Sequence, residues 1–480
     1  MTNNSAMHFA VRPGVIMRLL SDMYGVVAVL TAIPTVFALA CNSEALTGYL
    51  VVLGLLGVVW AAGRLFPRPV RVQKNESLSM VALLFISVSL LYSIPIMAYG
   101  IPFADAWFEA VSGVTTTGLS TLELDQPSPA FLFARGWMQW VGGLGVVVLA
   151  LALFIAPGQT ARSLGFSNQE MDDVVGGTRA HARRVTVVYV LITAVGVLAL
   201  LLTGSAPLDA VVHTMAAIST GGFANYGDSL ASLPSVQIWT INMLCIAGAV
   251  SFHVYYRSLL LSGRGGFADN QLYSLLLAIG LACMVGFGLV WQGGLDIGFT
   301  ELATLVVSAQ TTAGFSAGDI SVLSPSLLLL LVVCMAIGGG VGSTSGGIKL
   351  GRVQVMFRLA RSTLGRTGLS DHVFTGEGKN GGAGREQEAL ALLLLFLFSI
   401  SLSWLVFLSY GYPVMPSLFE VVSAATTSGL SSGLTQAGMP LALKVLLCCL
   451  MLLGRLEFIA LLVLLSPRSW LGRRRRIRRE

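Results

Sequence analysis

Four short segments of the sequence share one pattern of hydroxyl residues and glycine. The pattern is Ser/Thr, Thr, any residue, Gly, Leu/Phe and then Ser/Ala, and it occurs at 114–121, 218–225, 310–317 and 425–432. A glycine at the same place in each copy lets the backbone adopt conformations that other residues disfavour. Such a backbone can direct carbonyl oxygens inward, where they replace the water shell of a potassium-sized cation. The pattern therefore predicts a cation-binding filter made of four loops.

The predicted filter consists of the two hydroxyl residues, the variable residue and the glycine of each copy. These residues are Thr115, Thr116, Thr117, Gly118, Ser219, Thr220, Gly221, Gly222, Thr311, Thr312, Ala313, Gly314, Thr426, Thr427, Ser428 and Gly429.

Each copy follows an apolar stretch of about ten residues, which is too short to cross a membrane. The stretches read ADAWFEAVSG, LDAVVHTMAA, FTELATLVVSA and PSLFEVVSAA. They suit re-entrant half-helices, each lying between two full spans. Non-helical backbone at membrane depth is tolerated only when it is buried in protein or lines a wet cavity. Four such loops in one chain are therefore expected to surround one axis.

The composition excludes a soluble or disordered chain. Of the 480 residues, 55% are hydrophobic and only 11% are charged, whereas a soluble protein has about 25% charged residues. The six cysteines show neither the spacing of a zinc site nor that of a disulfide framework, and the five histidines are dispersed. We predict an all-α polytopic membrane protein that needs no cofactor of its own and is not an enzyme.

Ten membrane crossings are predicted from apolar stretches of about 20 residues. They lie near 15–40, 47–65, 77–99, 130–155, 185–204, 235–262, 270–292, 325–360, 387–410 and 440–466. Basic residues concentrate in the segments that this topology places together with both termini, including the tail RRRRIRRE. Since positive charge marks the cytoplasmic side, both termini are expected inside. The basic tail favours contact with anionic lipid over nucleic-acid binding.

The span at 325–360 contains six glycines in the ten residues 338–347. Glycine costs about 1 kcal/mol against alanine in a helix, so a break is expected. One interpretation is a kink that permits close helix packing, and the other is a mobile loop that obstructs conduction beneath the filter. No GxxxxGK[ST] phosphate-binding pattern is present. The candidate loop residues are Gly338, Gly339, Gly340, Gly342, Ser343, Thr344, Ser345, Gly346, Gly347 and Lys349.

Arg455 is predicted near the middle of the last span. A central arginine costs roughly 2.5–3.5 kcal/mol on insertion scales and is a functional candidate by default. The alternative is a structural arginine paired with a carboxylate or with backbone carbonyls of a neighbouring loop. Glu457 is a poor partner, because residues two apart on a helix do not face each other. His213 takes the half-helix position held by Glu109 and Glu420 in two other copies, and is interpreted as a structural substitution.

At these motifs the chain resembles the Trk/Ktr/HKT superfamily of potassium transporters, and specifically its TrkH/TrkG branch. The resemblance covers nearly the whole length and includes the four loops, WMQWVGGLGVVVLALALF (137–154), IGGGVGSTSGGIKLGRV (337–353) and LLGRLEFIALLVLLSP (452–467). The two leading spans favour the TrkH branch over KtrB.

The resemblance implies potassium uptake through a single-chain, pseudo-fourfold filter. It further implies that 338–347 is an intramembrane gate, that Arg455 is a positive barrier on the ion path, and that the chain forms a homodimer in a bacterial inner membrane. Control would come from a separate cytoplasmic TrkA-type ring of NAD- and ATP-binding domains. Glycine at all four filter positions, Gly118 included, favours potassium over sodium. The second and fourth loops, ISTGG and TTSGLSSG, depart from the family pattern and leave the selectivity over sodium and rubidium open.

The sequence pattern fits two other function classes less well. A secondary symporter coupling potassium or sodium to protons or sodium would usually show two inverted repeats, whereas four copies in one orientation are present here. A membrane hydrolase would need a cluster of His, Asp or Glu within the spans.

The repeats divide the chain into five predicted segments. Residues 1–75 form a two-span N-terminal segment, and repeats one to four occupy 76–160, 161–265, 266–384 and 385–480. The third repeat carries the broken helix and the fourth carries the basic tail.

Overall fold

The computed structural model describes residues 10–69, 72–123, 127–154, 174–252, 254–255, 270–366 and 383–471. The described residues form helices and connecting loops and contain no β-strand. The fold is therefore all-α, as predicted. The basic tail at 473–480 and the predicted repeat junctions at 160/161 and 265/266 lie outside the described residues.

Two helices precede the repeats. They are α1 (Pro13–Ala40) and α2 (Leu46–Gly63), which pack against each other and against the first helix of the first repeat. Most of their surface is exposed, with 22% and 28% of their apolar windows buried. Apolar surface of this extent is expected to face lipid.

The remaining helices follow a repeated order of long helix, short helix, loop and second long helix. The first repeat has α3 (Lys74–Met97), α4 (Phe103–Val114) and α5 (Pro129–Phe154); the second has α6 (Val174–Leu202), α7 (Pro207–Ile218) and α8 (Ser235–Ala249). The third has α9 (Asn270–Gly293), α10 (Phe299–Thr311), α11 (Pro325–Ile337) and α12 (Leu350–Arg366). The fourth has α13 (Ala383–Ser409), α14 (Val414–Ala425), α15 (Leu441–Arg455) and α16 (Ile459–Leu465), followed by α17 (Pro467–Leu471).

The four short helices α4, α7, α10 and α14 have 12, 12, 13 and 12 residues. At about 1.5 Å per residue they cover little more than half of a hydrocarbon core of about 30 Å. Phe108 and Phe419 on two of them are fully buried. A helix that is buried on nearly all sides belongs in the interior, so these helices form the centre of the molecule while the long helices surround them.

Within the described residues, six helices are long and apolar enough to cross a membrane, and a bent helix pair makes a seventh. The chain is thus a multi-pass membrane protein. Two predicted spans were wrong in extent. Helix α8 ends at Ala249, because Val250 is extended, whereas a span to residue 262 was expected. The last span is not one straight helix: α15 and α16 meet at an angle of 114°.

Candidate functional site

The four loops that follow the short helices adopt one backbone conformation. The second hydroxyl residue of each copy is a threonine with a left-handed conformation, with φ of 52°, 51°, 54° and 50° at Thr116, Thr220, Thr312 and Thr427. Two residues later the glycine again has positive φ, with 95°, 78°, 80° and 84° at Gly118, Gly222, Gly314 and Gly429. Left-handed threonine is disfavoured, so its recurrence at one place in four loops marks a conformation imposed by the surrounding structure.

The four glycines close into a ring. A Cβ atom on Gly118 would lie 2.2 Å from the carbonyl oxygen of Gly221 in the second loop. The same relation joins Gly222 to Ala313, Gly314 to Ser428 and Gly429 to Thr117, at 2.4, 2.4 and 2.0 Å. Each glycine therefore touches the residue before the glycine of the next copy, and the fourth copy touches the first. No side chain larger than hydrogen fits at these positions.

All sixteen predicted filter residues are buried, apart from the half-buried Gly118, Gly314 and Gly429. The first hydroxyl of each copy bonds back to a carbonyl of its own short helix, for example Thr115 to Val111 at 2.7 Å. The hydroxyls of Thr116, Thr427 and Ser428 have no hydrogen-bond partner among the described residues. The loops thus bring together neutral backbone and hydroxyl oxygens.

The oxygens of this ring suit a monovalent cation more than a resident metal ion. The described residues contain no group of three or more His, Cys, Asp or Glu side chains that could hold a metal. Neutral carbonyl oxygens are the ligands that replace a potassium ion's hydration shell. The arrangement can therefore bind a dehydrated cation without trapping it by charge.

Buried polar side chains hold the segments that follow the ring glycines. Asp105 accepts hydrogen bonds from Thr121 and Lys444. In the second repeat, Asp209 accepts from Asn225 at 2.6 Å and from Tyr226 at 2.8 Å. Burial and the bond to Asp209 raise the pKa of Tyr226 to about 12, so this phenol keeps its proton at neutral pH.

Glu109, His213 and Glu420 occupy the same half-helix position in three repeats, and each contacts the segment that follows the ring glycine. Glu420 accepts hydrogen bonds from Ser431, Ser432, Leu434 and Thr435. Glu109 accepts from Ser120 and pairs with Arg135. His213 is buried, and its Nε2 lies 3.5 Å from the backbone nitrogen of Asn225. All three side chains contact the segment just beyond the ring.

A cavity of about 810 Å³ opens on the side of the ring that follows the glycines. Its lining includes all four ring glycines, together with Glu123, Asp228 and Asp319. Carboxylates around a concave entrance raise the local concentration of cations. The ring is thus reached through a wide, partly acidic vestibule.

On the opposite side of the ring, the candidate loop at 338–349, called the glycine-rich loop below, lies directly against the ring residues. The backbone nitrogen of Gly346 donates to the Thr312 hydroxyl at 2.7 Å, and a Cβ on Gly346 would lie 1.9 Å from the Thr426 carbonyl oxygen. The Thr344 hydroxyl bonds to the carbonyl oxygens of Ile218 and Gly248, both at 2.9 Å. The loop therefore contacts residues of the second, third and fourth repeats.

The remaining residues of the candidate loop fasten its ends. Positive φ occurs at Gly338, Gly342, Gly347 and Lys349, which explains why the helix stops at Ile337. Ser343 and Ser345 bond to each other at 2.8 Å. Gly339 accepts from Leu350, and Gly340 donates to Ala249 at 2.9 Å.

Arg455 is the last residue of α15. The prediction that it lies near the middle of a straight span was therefore wrong. It is 5% exposed. One terminal nitrogen donates to the Thr344 carbonyl at 2.7 Å, and the other donates to the Gly142 carbonyl at 3.1 Å. These are the backbone-carbonyl partners that the structural alternative required, and one of them belongs to the glycine-rich loop.

Glu457 lies in the bend after α15, and its partners come from the glycine-rich loop's far end. Arg352 donates to its carboxylate, and the Lys349 nitrogen lies 3.9 Å away. The charged residues after the loop thus hold the bent last span beside it.

Sequence reasoning missed two sets of residues that build the ring. Gly142, Gly248 and Gly454 lie at the fourteenth position of their helices, where a Cβ would come within 2.1 to 2.5 Å of a carbonyl oxygen at or next to the end of a short helix. Gln139 and Arg135 on α5 contact the second loop. Extending the repeat alignment into the second long helices would have revealed the glycines; Gln139 had no such signal.

The chain is similar to several known proteins over most of its length. A family model, TrkH, described as a cation transport protein, matches residues 67–266 and 294–471. The Trk system potassium uptake protein TrkI of Halomonas elongata is 30% identical, and the alignment covers 95% of this chain and 96% of that protein. TrkH of Escherichia coli K12 is 28% identical, with 88% and 96% covered. The crystal structure of the potassium transporter TrkH from Vibrio parahaemolyticus matches with a TM-score of 0.82 and 24% identity, covering 95% of this chain and 99% of that one.

Proposed function

Because the chain belongs to the TrkH family of cation transport proteins, we propose that it takes up potassium through the ring of four loops. Family membership also identifies it as a transporter and not an enzyme. The observation that carries the proposal is the closed contact of each ring glycine with the carbonyl of the next loop. The relatives named as potassium uptake proteins support potassium as the transported ion.

Permeation begins in the acidic vestibule, which faces the outside in the proposed orientation. A potassium ion exchanges its water for the carbonyl oxygens at Thr117, Gly221, Ala313 and Ser428 and for the nearby threonine hydroxyls. The membrane potential drives the ion inward with about 2.3 kcal/mol per charge per 100 mV. The filter residues supply oxygens, and no bond is made or broken.

The glycine-rich loop is the proposed gate. Its residues Thr344 and Gly346 lie against the inner side of the ring, where a passing ion would meet them. Arg455 adds positive charge on that side and holds the loop through Thr344. Opening requires the loop to leave these partners.

The system around the chain is proposed from the family. A TrkA-type cytoplasmic ring binding NAD or ATP would control the gate, and two copies of the chain would form a homodimer in a bacterial inner membrane. Both termini would lie in the cytoplasm. The five-segment division, with two leading spans and four pore repeats, is proposed as the unit structure, and its support is the helix order.

A strain without its own potassium uptake systems tests the proposal. Expressed with a TrkA-type partner, the chain should restore growth at low potassium and accumulate rubidium as a tracer. Absence of growth with confirmed membrane insertion would overturn the potassium assignment. External acidification during uptake should not raise the rate, since a rise would favour proton symport.

Gly118→Ser tests the ring itself. The added side chain would meet the Gly221 oxygen at 2.2 Å at a residue with φ of 95°. Strain of about 1–3 kcal/mol should lower potassium uptake roughly tenfold and reduce the preference for potassium over sodium. Gly280→Ala is the matched control, because nothing lies within 4 Å of its Cβ position, and it should transport normally.

A further inference from the structure

The second long helix of the first repeat differs from its three counterparts. Aligned on the first helical residues, the eleventh position is Gln139 in α5 and Cys245, Met335 and Met451 in α8, α11 and α15. The seventh position is Arg135 in α5 and Ile241, Leu331 and Leu447 in the others. All eight side chains are buried. Only the first repeat places an amide and a guanidinium where the others have thiol, thioether or hydrocarbon groups.

The Gln139 amide binds the second loop on both sides of its ring glycine. Its Nε2 donates to the Gly221 carbonyl at 2.5 Å, and its Oε1 accepts from the Phe223 nitrogen at 3.1 Å. A Cβ on Gly221 would lie 2.4 Å from the Gln139 Cδ atom. The amide therefore fills the space that a side chain at Gly221 would take. The second loop is the one copy of the four in which two consecutive glycines precede Phe.

The bond to Gly221 makes the carbonyl ring unequal. The Gly221 oxygen is the second-loop member of the ring, equivalent to those of Thr117, Ala313 and Ser428. Among the described residues, these three oxygens accept no hydrogen bond. A carbonyl oxygen has two lone pairs that can accept hydrogen bonds. The Gln139 amide occupies one lone pair of the Gly221 oxygen. It thereby fixes the direction of the second lone pair and leaves only that one for an ion.

Arg135 supports the same loop one helical turn earlier. It pairs with Glu109 at 2.6 Å, donates to the Ala224 carbonyl at 3.2 Å, and lies 4.0 Å over the ring of Phe223. The second loop is thus held at Gly221, Phe223 and Ala224 by one face of α5. Two glycines in a row would otherwise leave this loop conformationally free.

We propose that Gln139 is a positioning residue that fixes the second loop's part of the ring, the Gly221 carbonyl, and thereby sets the discrimination between potassium and sodium. The inference rests on the proposed potassium uptake. Gln139 does not itself contact the ion; it acts through the Gly221 carbonyl. A rigid ring holds its oxygens at the separation that suits potassium, whereas a relaxed second loop can close around the smaller sodium ion.

The test replaces Gln139 by the residue that occupies its place in the third and fourth repeats. Gln139→Met keeps the length of the side chain and removes both hydrogen bonds. Potassium uptake is measured over a range of potassium concentrations, with and without competing sodium, in cells producing equal amounts of protein. The ratio of sodium inhibition constant to potassium KM should fall about fivefold, the scale of one hydrogen bond. Met335→Leu, at the equivalent position of α11, is the matched control and should leave the ratio unchanged.

The outcomes separate a positioning role from a packing role. A lower maximal rate with an unchanged ion ratio would show that Gln139 only supports folding, and would overturn the inference. Gln139→Leu should give the same altered ratio as Gln139→Met, and a wild-type ratio in both variants would also overturn it. If the unaltered chain itself fails to take up potassium, the proposed function falls, and that result is distinct from a variant with wild-type selectivity.

Discussion

The side chain of Arg455 connects the glycine-rich loop to helix α5. Its two terminal nitrogens donate to the carbonyls of Thr344 and Gly142, and its Nε has no partner among the described residues. A buried guanidinium that lacks part of its hydrogen bonding is expensive. In the proposed gating mechanism, this contact helps to hold the loop closed.

Arg455→Ala is expected to raise the rate of potassium uptake. The substitution removes a charge-assisted hydrogen bond to the loop, worth about 1.5–3 kcal/mol, together with the proposed positive barrier below the ring. Uptake of rubidium tracer at matched protein levels measures the change, which should be several-fold. Arg64→Ala is the control, since Arg64 is exposed at the end of α2 and stacks on Trp60. An unchanged or lower rate, with normal expression, would contradict the role.

Single residues were predictable from the sequence to different degrees. The ring glycines and Arg455 could be selected, because repetition and a charge within an apolar stretch are visible in the chain itself. The partners of Glu457 were not visible, because Arg352 is 105 residues away. The role of Gln139 was not visible, since its partner Gly221 belongs to another repeat 82 residues later.

At the scale of helices, close packing in the first, second and fourth repeats depends on a glycine in the second long helix. Gly454 of α15 contacts the end of α14, where a Cβ would lie 2.1 Å from the Ala425 carbonyl oxygen. The same arrangement occurs at Gly248 of α8 against Ile218, at 2.5 Å. Backbone oxygens cannot move aside as a flexible side chain can, so these contacts fix how near each long helix lies to the ring.

Gly454→Ala is expected to destabilise the protein. The methyl group would force α15 away from α14, and overpacking of this kind costs about 1–3 kcal/mol. Thermal unfolding of the purified protein in detergent should show a lower midpoint than the unaltered protein. Gly280→Ala in α9 introduces the same methyl group into open space and should leave the midpoint unchanged or raise it. Equal midpoints for the two variants would show that the contact does not determine helix spacing.

The helices were predicted better in kind than in extent. The four short helices were visible because their apolar stretches are half the length of a span. The ends of α8 and α15 were not, because apolar residues continue on both sides of each break, as with Leu456 and Phe458 around Glu457. Hydropathy records the environment of a residue and not the direction of the backbone. The 114° bend is accompanied by contacts with the glycine-rich loop, which no local pattern encodes.

For the whole molecule, the net charge of +6 is informative through its placement. Basic residues are predicted on the side of the termini, while the lining of the vestibule above the ring includes Glu123, Asp228 and Asp319. This asymmetry supports the proposed orientation, in which carboxylates attract cations to the entrance. The proposed orientation places the loop between α1 and α2 outside and the end of α2 inside.

Cysteine labelling tests this orientation directly. Cys41 is exposed at the end of α1, on the proposed outer side, so a membrane-impermeant maleimide should label it in intact cells. Cys41→Ser gives the background from the other cysteines. Adding Leu65→Cys to that background places a thiol at a residue that is 86% exposed after α2. Since one helix of 18 residues separates the two sites, the new thiol should react only after the membrane is permeabilised. Labelling of Leu65→Cys in intact cells would show that the topology is the reverse of the proposed one. The glycine-rich loop would then lie on the side from which potassium enters.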